Sequence, residues 1–148
     1  MTSDLRLDDF LPYRLSVAAN LVSEAVAGVY RDLFDLRIPE WRLIAASAET
    51  GPATPQALGQ RTRMDKVTVS RAAAALTARG LFRRAPNPDD RRSHLLVLTS
   101  EGSTLYAAIA PKAREIEARL FGDFTDEERS LLHALLIRTE EAALTISC

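Results

Sequence analysis

The longest apolar stripe in the sequence lies near its N-terminus, and it is too long for the core of a small single chain to cover. Between residues 9 and 36, apolar side chains recur at steps of three and four, namely at Leu11, Leu15, Ala18, Val22, Ala25, Val29 and Leu33. This spacing predicts one helix of about seven turns with a single apolar face. Because 148 residues make one domain of ordinary size, we expect this face to pack against a second copy of the chain.

The rest of the chain is predicted to form shorter helices, a hairpin and two further helices. Prolines, glycines and N-cap residues set the boundaries, with Thr54, Asp65 and Thr125 in cap positions. The predicted helices cover residues 39–49, 55–61, 66–79, 101–121 and 126–144. From Leu81 the apolar period shortens to two, which predicts strands at 81–85 and 94–98 joined by a loop rich in Pro and Asp. The predicted fold class is mainly α with a small β-hairpin.

Positive charge is concentrated in the middle of the chain. The formal net charge of the whole chain is −1, yet residues 58–95 contain nine cationic and three anionic side chains. Of the nineteen cationic residues in the chain, seventeen are arginine, which suits bidentate contacts with phosphates and bases. The nine are Arg61, Arg63, Lys66, Arg71, Arg79, Arg83, Arg84, Arg91 and Arg92. Such asymmetry is typical of a nucleic-acid site, although a plain compositional bias toward arginine would also produce it.

The basic segment combines two elements that can bind duplex DNA. Two helices at 55–61 and 66–79, joined by a short turn, have the order of a helix-turn-helix, whose second helix enters the major groove. The loop at 86–93 carries arginines that can reach the neighbouring minor groove, where the negative potential attracts them. Together the two elements predict a winged helix-turn-helix.

The segment from Leu58 to Gly102 resembles the core of the MarR family of bacterial transcription regulators. The resemblance rests on the sequences LG at 58–59, VTVSR at 67–71, RGL at 79–81, NPDDRRS at 87–93 and LVLTSEG at 96–102. The D-x-R pattern of the family's wing falls on residues 90–92, and the L-T-x-x-G pattern that follows the wing falls on residues 98–102. The long helices on either side match the family's dimerisation region.

The resemblance implies a ligand-responsive regulator of transcription, most often a repressor. The chain of residues 1–148 would form a homodimer through helices in 1–36 and 100–148, with residues 37–99 as the winged helix-turn-helix lobe that binds DNA. Each recognition helix would enter a major groove of a pseudo-palindromic operator. A small, often aromatic or phenolic, anion bound between the lobes would release the DNA.

The resemblance also assigns the residues that would contact DNA. Ser70 and Arg71 are expected to meet bases, with Lys66 and Thr68 nearby, although helix periodicity places Thr68 off their face. In the wing, Arg92 is expected to enter the minor groove and Asp90 to orient it. The expected phosphate contacts are Arg91, Arg61 and Arg63. The plainer alternatives are a solvated charge for Arg71 and a turn-forming role for Asp90.

A ligand pocket is indicated less directly, by aromatic residues in and beside the first two predicted helices. Nearby arginines could hold a carboxylate bidentately. The candidate residues are Tyr13, Arg14, Tyr30, Phe34, Trp41 and Arg42. The alternative is that these aromatics belong to the core and these arginines to the surface.

Other classes of function have less support in the sequence. No Gly-rich phosphate loop, nucleophile–base pair or metal-ligand spacing is evident, so we expect no enzyme, no cofactor and no metal. Cys148 is the single cysteine, and a redox role for it would need a low thiol pKa. With neither a secretory signal nor a membrane span in the sequence, we expect the cytoplasm. The remaining alternative is a winged-helix module that binds proteins and not DNA, which would not need the arginines at 91 and 92.

Overall fold

The computed structural model describes residues 4–147, and within them it has six α-helices, one 3-10 helix and a two-stranded antiparallel hairpin. A 3-10 helix at Leu7–Asp9 precedes α1 (Leu11–Phe34), α2 (Ile38–Thr50), α3 (Pro55–Thr62) and α4 (Lys66–Ala78). Strands β1 (Phe82–Pro86) and β2 (His94–Leu98) follow, and then α5 (Ser100–Phe121) and α6 (Asp126–Ile146). The predicted fold class is confirmed. Cys148, for which a redox role would depend on a low thiol pKa, lies outside the described residues.

The predicted elements agree with the observed ones to within two residues at each end, because local signals set those ends. Thr54 Oγ1 accepts a hydrogen bond from the Ala57 amide at 3.1 Å and so caps α3. Thr125 Oγ1 accepts from the Glu128 amide at 3.0 Å, while the Glu128 carboxylate accepts from the Thr125 amide at 2.9 Å, a capping box at the start of α6. The 3-10 helix was not predicted.

The chain divides into two compact units, of which the first ends at Ile109 and the second begins at Ala110. The first unit holds α2, α3, α4 and the hairpin around a fully buried core formed by Leu43, Ile44, Leu58, Leu76, Phe82 and Leu96. Leu96 also forms an isolated antiparallel β-bridge with Ala53. This bridge joins the segment between α2 and α3 to the edge of β2. This core fixes α4 and the hairpin as one lobe.

The end of α4 is fastened to the start of α5 through a glycine turn. Gly80 adopts φ 74°, and the Leu81 amide donates to the Leu76 carbonyl at 2.9 Å, as in a Schellman ending. The Thr99 hydroxyl donates to the Gly80 carbonyl at 2.7 Å and accepts from the Gly102 amide at 3.1 Å. The residues that precede β1 and those that follow β2 are therefore joined to each other by hydrogen bonds through Thr99.

Helix α1 keeps most of its apolar stripe uncovered within the chain. Tyr30 is its one buried residue among those described, whereas Leu11, Leu15, Leu21 and Leu33 are all exposed. In the second unit, α6 has no buried residue and exposes Leu131, Leu135, Leu136 and Leu144. Within residues 4–147, the helices lack the length and apolar character that a membrane span requires.

Candidate nucleic-acid interface

The outward side of α4 forms a continuous exposed surface, which we call the reading face and define as Lys66, Val67, Ser70, Arg71 and Ala74. The opposite side of the helix is buried in the lobe through Val69, Ala72, Ala73 and Leu76. Within the described residues, the Arg71 side chain has no hydrogen bond or ion pair. The helix thus presents a cationic, hydrogen-bonding surface on a rigid support.

Thr68 lies apart from the reading face, as the helix period indicated. It is half-buried, and its hydroxyl donates to Asp65 Oδ2 at 3.0 Å. Its amide donates to Asp65 Oδ1 at 2.8 Å, which makes Asp65 the N-cap of α4. The structure therefore places Thr68 in the cap of the helix and not among the side chains that face outward.

These two hydrogen bonds from Thr68 lower the pKa of the Asp65 carboxyl below its ordinary value of 3.8. Because the folded-state pKa is depressed, the charged cap contributes stability that is fully present above the unfolded-state pKa and is lost as the pH falls through the folded-state value. We therefore expect Asp65→Ala to lower the midpoint of thermal unfolding at pH 7 and to lower it progressively less toward pH 3.

The control for this prediction is Asp65→Asn, which keeps an oxygen acceptor at the cap but cannot titrate. At pH 7 its unfolding midpoint should lie between those of the parent and Asp65→Ala, because the cap oxygen is kept and the charge is lost. A difference between the parent and Asp65→Ala that stays constant from pH 7 to pH 3 would show that the charge of Asp65 does not stabilise the helix.

Two of the predicted phosphate contacts, Arg61 and Arg63, lie at the C-terminal end of α3, and their surroundings differ. Arg63 ends α3 with φ 56° and is exposed. Arg61 is also exposed, but its Nη2 lies 2.6 Å from Glu49 Oε2 of α2. The Arg61 guanidinium is thus already engaged by Glu49 through one nitrogen, whereas Arg63 has no such partner among the described residues.

The loop between the strands, which we call the wing and define as residues 87–93, is held by short-range polar contacts. The Asn87 amide group donates to Ser93 Oγ at 2.8 Å. Asp90 Oδ1 accepts from the Arg92 backbone amide at 2.9 Å, so the carboxylate fixes the turn and not the guanidinium. This contact corresponds to the turn-forming alternative for Asp90. Arg91 and Arg92 are exposed at the tip.

Arg79 has a structural role that its place in the basic segment did not indicate. Its guanidinium donates to the backbone carbonyls of Asp35, at 2.8 Å, and Phe34, at 3.2 Å, at the C-terminal end of α1. Cations at a helix C-terminus are favourable because the free carbonyls carry partial negative charge. Arg79 therefore links the C-terminal end of α4 to the C-terminal end of α1 by hydrogen bonds.

A groove of about 860 Å³ lies between the end of α1, the start of α2 and α4. Its walls are mainly apolar, and its polar groups include Arg31, Arg71 and the buried Glu40, whose Oε1 accepts from the Arg37 amide at 2.8 Å. None of the six residues predicted for a ligand pocket lines this groove. No motif in the sequence indicates this groove, because three separate segments form it.

The predicted pocket residues are only partly brought together. Tyr30 and Trp41 have ring centroids 5.3 Å apart, and Trp41 stacks on Tyr106 of α5 at 6.0 Å, which defines the aromatic cluster of Tyr30, Trp41 and Tyr106. Burial raises the pKa of the Tyr30 phenol above its ordinary value of 10.0. Phe34 is half-buried, while Tyr13, Arg14 and Arg42 are exposed. The sequence analysis missed Tyr106.

The described residues hold no group of three or more His, Cys, Asp or Glu side chains that would suit a metal ion.

Comparisons with known proteins were made for the sequence and for the fold. A family model described as MarR family matches residues 34–93. The chain is similar to YxaD, an uncharacterized HTH-type transcriptional regulator of Bacillus subtilis strain 168, with 31% identity over 108 residues that cover 73% of this chain and 76% of YxaD. It is also similar to the solved structure of a probable transcriptional regulator from Pseudomonas aeruginosa, with 30% identity, a TM-score of 0.81 and coverage of 90% of this chain and 99% of that one. A MarR mutant of Escherichia coli, solved with operator DNA, shares the fold at 22% identity and a TM-score of 0.81, covering 93% of this chain and 99% of that one.

Proposed function

The chain belongs to the MarR family of transcription regulators, and on this premise we propose that it is a homodimeric repressor whose operator is released when a small anion binds. The relatives that it matches are transcription regulators and not enzymes. We place its activity in the cytoplasm, where the target DNA of a bacterial regulator lies.

The observation that carries the DNA-binding proposal is the reading face of α4. Arg71 is exposed and without a partner among the described residues, which leaves its five donors free for the edge of a guanine. Ser70 and Lys66 lie on the same side and supply a hydroxyl and a further cation. With α4 in the major groove, Arg92 at the tip of the wing would reach the neighbouring minor groove.

The homodimer is supported by apolar surface that the single chain does not cover. Exposed leucines recur along α1 at helical spacing, and contiguous apolar surface of this kind marks an interaction site. We propose a second copy of the chain as the partner for this surface, because a twofold dimer presents two identical reading faces. A pseudo-palindromic operator would match that symmetry, with half-sites about one helical turn apart.

We place the effector in the groove beside α4. Its volume is in the range of small-molecule sites, and its mainly apolar walls with a few polar groups suit an aromatic body that carries a charged group. Arg31 is exposed and pairs with Asp32 at 3.5 Å, a surface contact that a ligand carboxylate can replace at little cost. Because Arg71 lines the groove as well as the reading face, a bound anion would compete with DNA for it.

The aromatic cluster is the second candidate place for the effector. Trp41 stacks on Tyr106, and the exposed Arg42 follows Trp41 in the chain, so that the aromatic cluster would offer rings and a cation to a phenolic acid. Replacing Arg31 or Arg42 with alanine therefore tests whether the effector binds in the groove or at the aromatic cluster.

The test has two arms, both read by fluorescence anisotropy of a labelled duplex from the region upstream of the protein's own gene. In the first arm, the protein should prefer this duplex to a scrambled one. If six phosphates are neutralised, the log–log dependence of affinity on salt should have a slope of about −5. In the second arm, 4-hydroxybenzoate should release the duplex, and Arg31→Ala should weaken that response while Arg42→Ala keeps it.

Equal binding to both duplexes at every salt concentration would contradict sequence-specific recognition. Loss of the response in Arg42→Ala alone would move the effector to the aromatic cluster. An unchanged affinity at saturating 4-hydroxybenzoate would contradict an aromatic acid of this kind as effector.

A further inference from the structure

Val67 is the large apolar side chain of the reading face, and more than half of its surface is left uncovered by the rest of the described chain. It is 58% exposed, whereas Val69, two residues further along the same helix, is 2% exposed and belongs to the core. A single exposed valine needs no explanation by itself. Its position does call for one, because it lies between residues that are free to contact DNA.

The position of Val67 on α4 is the one from which a recognition helix reads bases. It is the second residue of the helix, and N-terminal residues of recognition helices face the base edges. Val67 precedes Arg71 by four residues, which places the two side chains on one face about 6 Å apart along the helix axis. Successive base pairs are about 3.4 Å apart, so the two side chains reach bases within about two steps of each other.

The chemistry of valine selects one feature of the major groove. Of the groups that base pairs present there, the thymine C5-methyl is the apolar one. Valine offers two methyl groups on a β-branched side chain that keeps a single rotamer in a helix, so its contact surface is fixed before binding. A longer and more flexible side chain would lose more entropy on ordering.

We propose that Val67 is a specificity-determining residue that contacts a thymine methyl group within two base pairs of the base read by Arg71. This inference rests on the proposed function, because it requires α4 to lie in the major groove. It adds an apolar determinant to the polar ones that the sequence analysis identified. The operator half-site should accordingly contain a thymine at a fixed offset from the guanine read by Arg71.

The experiment uses a duplex that the full-length protein selects from a random pool, in which each thymine of the half-sites is replaced in turn by deoxyuridine. This change removes the methyl group and leaves the base pairing intact. At one position per half-site the parent protein should bind about fourfold more weakly, as expected for about 0.8 kcal/mol per buried carbon group. Val67→Ala should bind the thymine and deoxyuridine duplexes equally well.

Ser70→Ala is the matched control, because it alters the neighbouring side chain and should keep the fourfold sensitivity to deoxyuridine. Val67→Ala is expected to fold normally, since alanine favours an exposed helix position more than valine does. If the parent bound every deoxyuridine duplex as tightly as the thymine duplex, the contact would be excluded. Equal losses in the parent and in Val67→Ala would assign the methyl effect to DNA shape or to another residue, and would also overturn the inference. Failure to select any duplex would instead overturn the proposed DNA binding, which separates the two claims.

Discussion

Replacing Arg71 with alanine should weaken binding to the operator by about 5- to 150-fold, which corresponds to ~1–3 kcal/mol. The loss is expected to be specific because the guanidinium has no partner within the described residues, so its removal leaves the lobe intact. Binding to unrelated DNA should fall much less, since the phosphate contacts that we propose for other residues of the lobe would be unchanged. Anisotropy titrations with the operator and a scrambled duplex measure both quantities.

Arg92→Ala is the informative comparison, because it removes the same charge from the wing. It should weaken binding to both duplexes and reduce the salt slope by about one unit. Arg114→Ala removes an exposed cation from the second compact unit, which contains neither α4 nor the hairpin, and should leave both affinities unchanged. If Arg71→Ala lost affinity for both duplexes equally, Arg71 would be a phosphate contact and not a base contact.

Gly102→Ala should destabilise the protein by about 3 kcal/mol, the upper end of the usual cost of overpacking. A Cβ at this position would lie 2.5 Å from Leu98 Cδ1 and would also collide with the Leu81 carbonyl oxygen. The Leu81 carbonyl is held in place because its oxygen accepts from the Thr99 amide at 3.0 Å. At fixed protein concentration, the unfolding midpoint should fall by about 6–12 °C.

Gly28→Ala is the matched control for this prediction. Apart from its two chain neighbours and the backbone of its own helix, an alanine Cβ at position 28 would have no atom of the described chain within 4 Å, and the residue lies inside α1. Since glycine in a helix interior costs roughly 0.5–1 kcal/mol relative to alanine, this variant should be slightly more stable than the parent. An unfolding midpoint of Gly102→Ala within about 2 °C of the parent would mean that the junction between the hairpin and α5 yields more easily than its contacts indicate.

The fold was predictable from the sequence wherever local chemistry decides it. Asp65 and Thr125 cap their helices through residues three positions away. Gly80 ends α4 through a turn that its neighbours complete. Such short-range signals are visible in a sequence, which explains why predicted and observed boundaries differ by two residues at most.

The contacts that escaped prediction join residues far apart in the chain. Arg79 reaches the end of α1 across more than forty residues, and Thr99 reaches Gly80 across nineteen. The resemblance included Gly102 in a motif, but the reason for a glycine there, close approach to the Leu81 carbonyl, required the structure.

The candidate sites were predictable to different degrees for the same reason. Exposure of Ser70 and Arg71 follows from the helix period, and the same period places the apolar Val67 on their face, but the degree to which Val67 is exposed required the structure. Tyr106 joins Trp41 from a helix more than sixty residues away. The groove depends on how three helices pack, so no motif in the sequence could indicate it.

The central claim is that two copies of this lobe read one operator, and native mass spectrometry of the protein with its upstream duplex tests it most directly. Without DNA, the account predicts a species of twice the 16.3 kDa of one chain. With DNA, it predicts a complex of two protomers on one duplex. A single protomer both free and on the duplex, or the absence of any complex at low salt, would contradict the account.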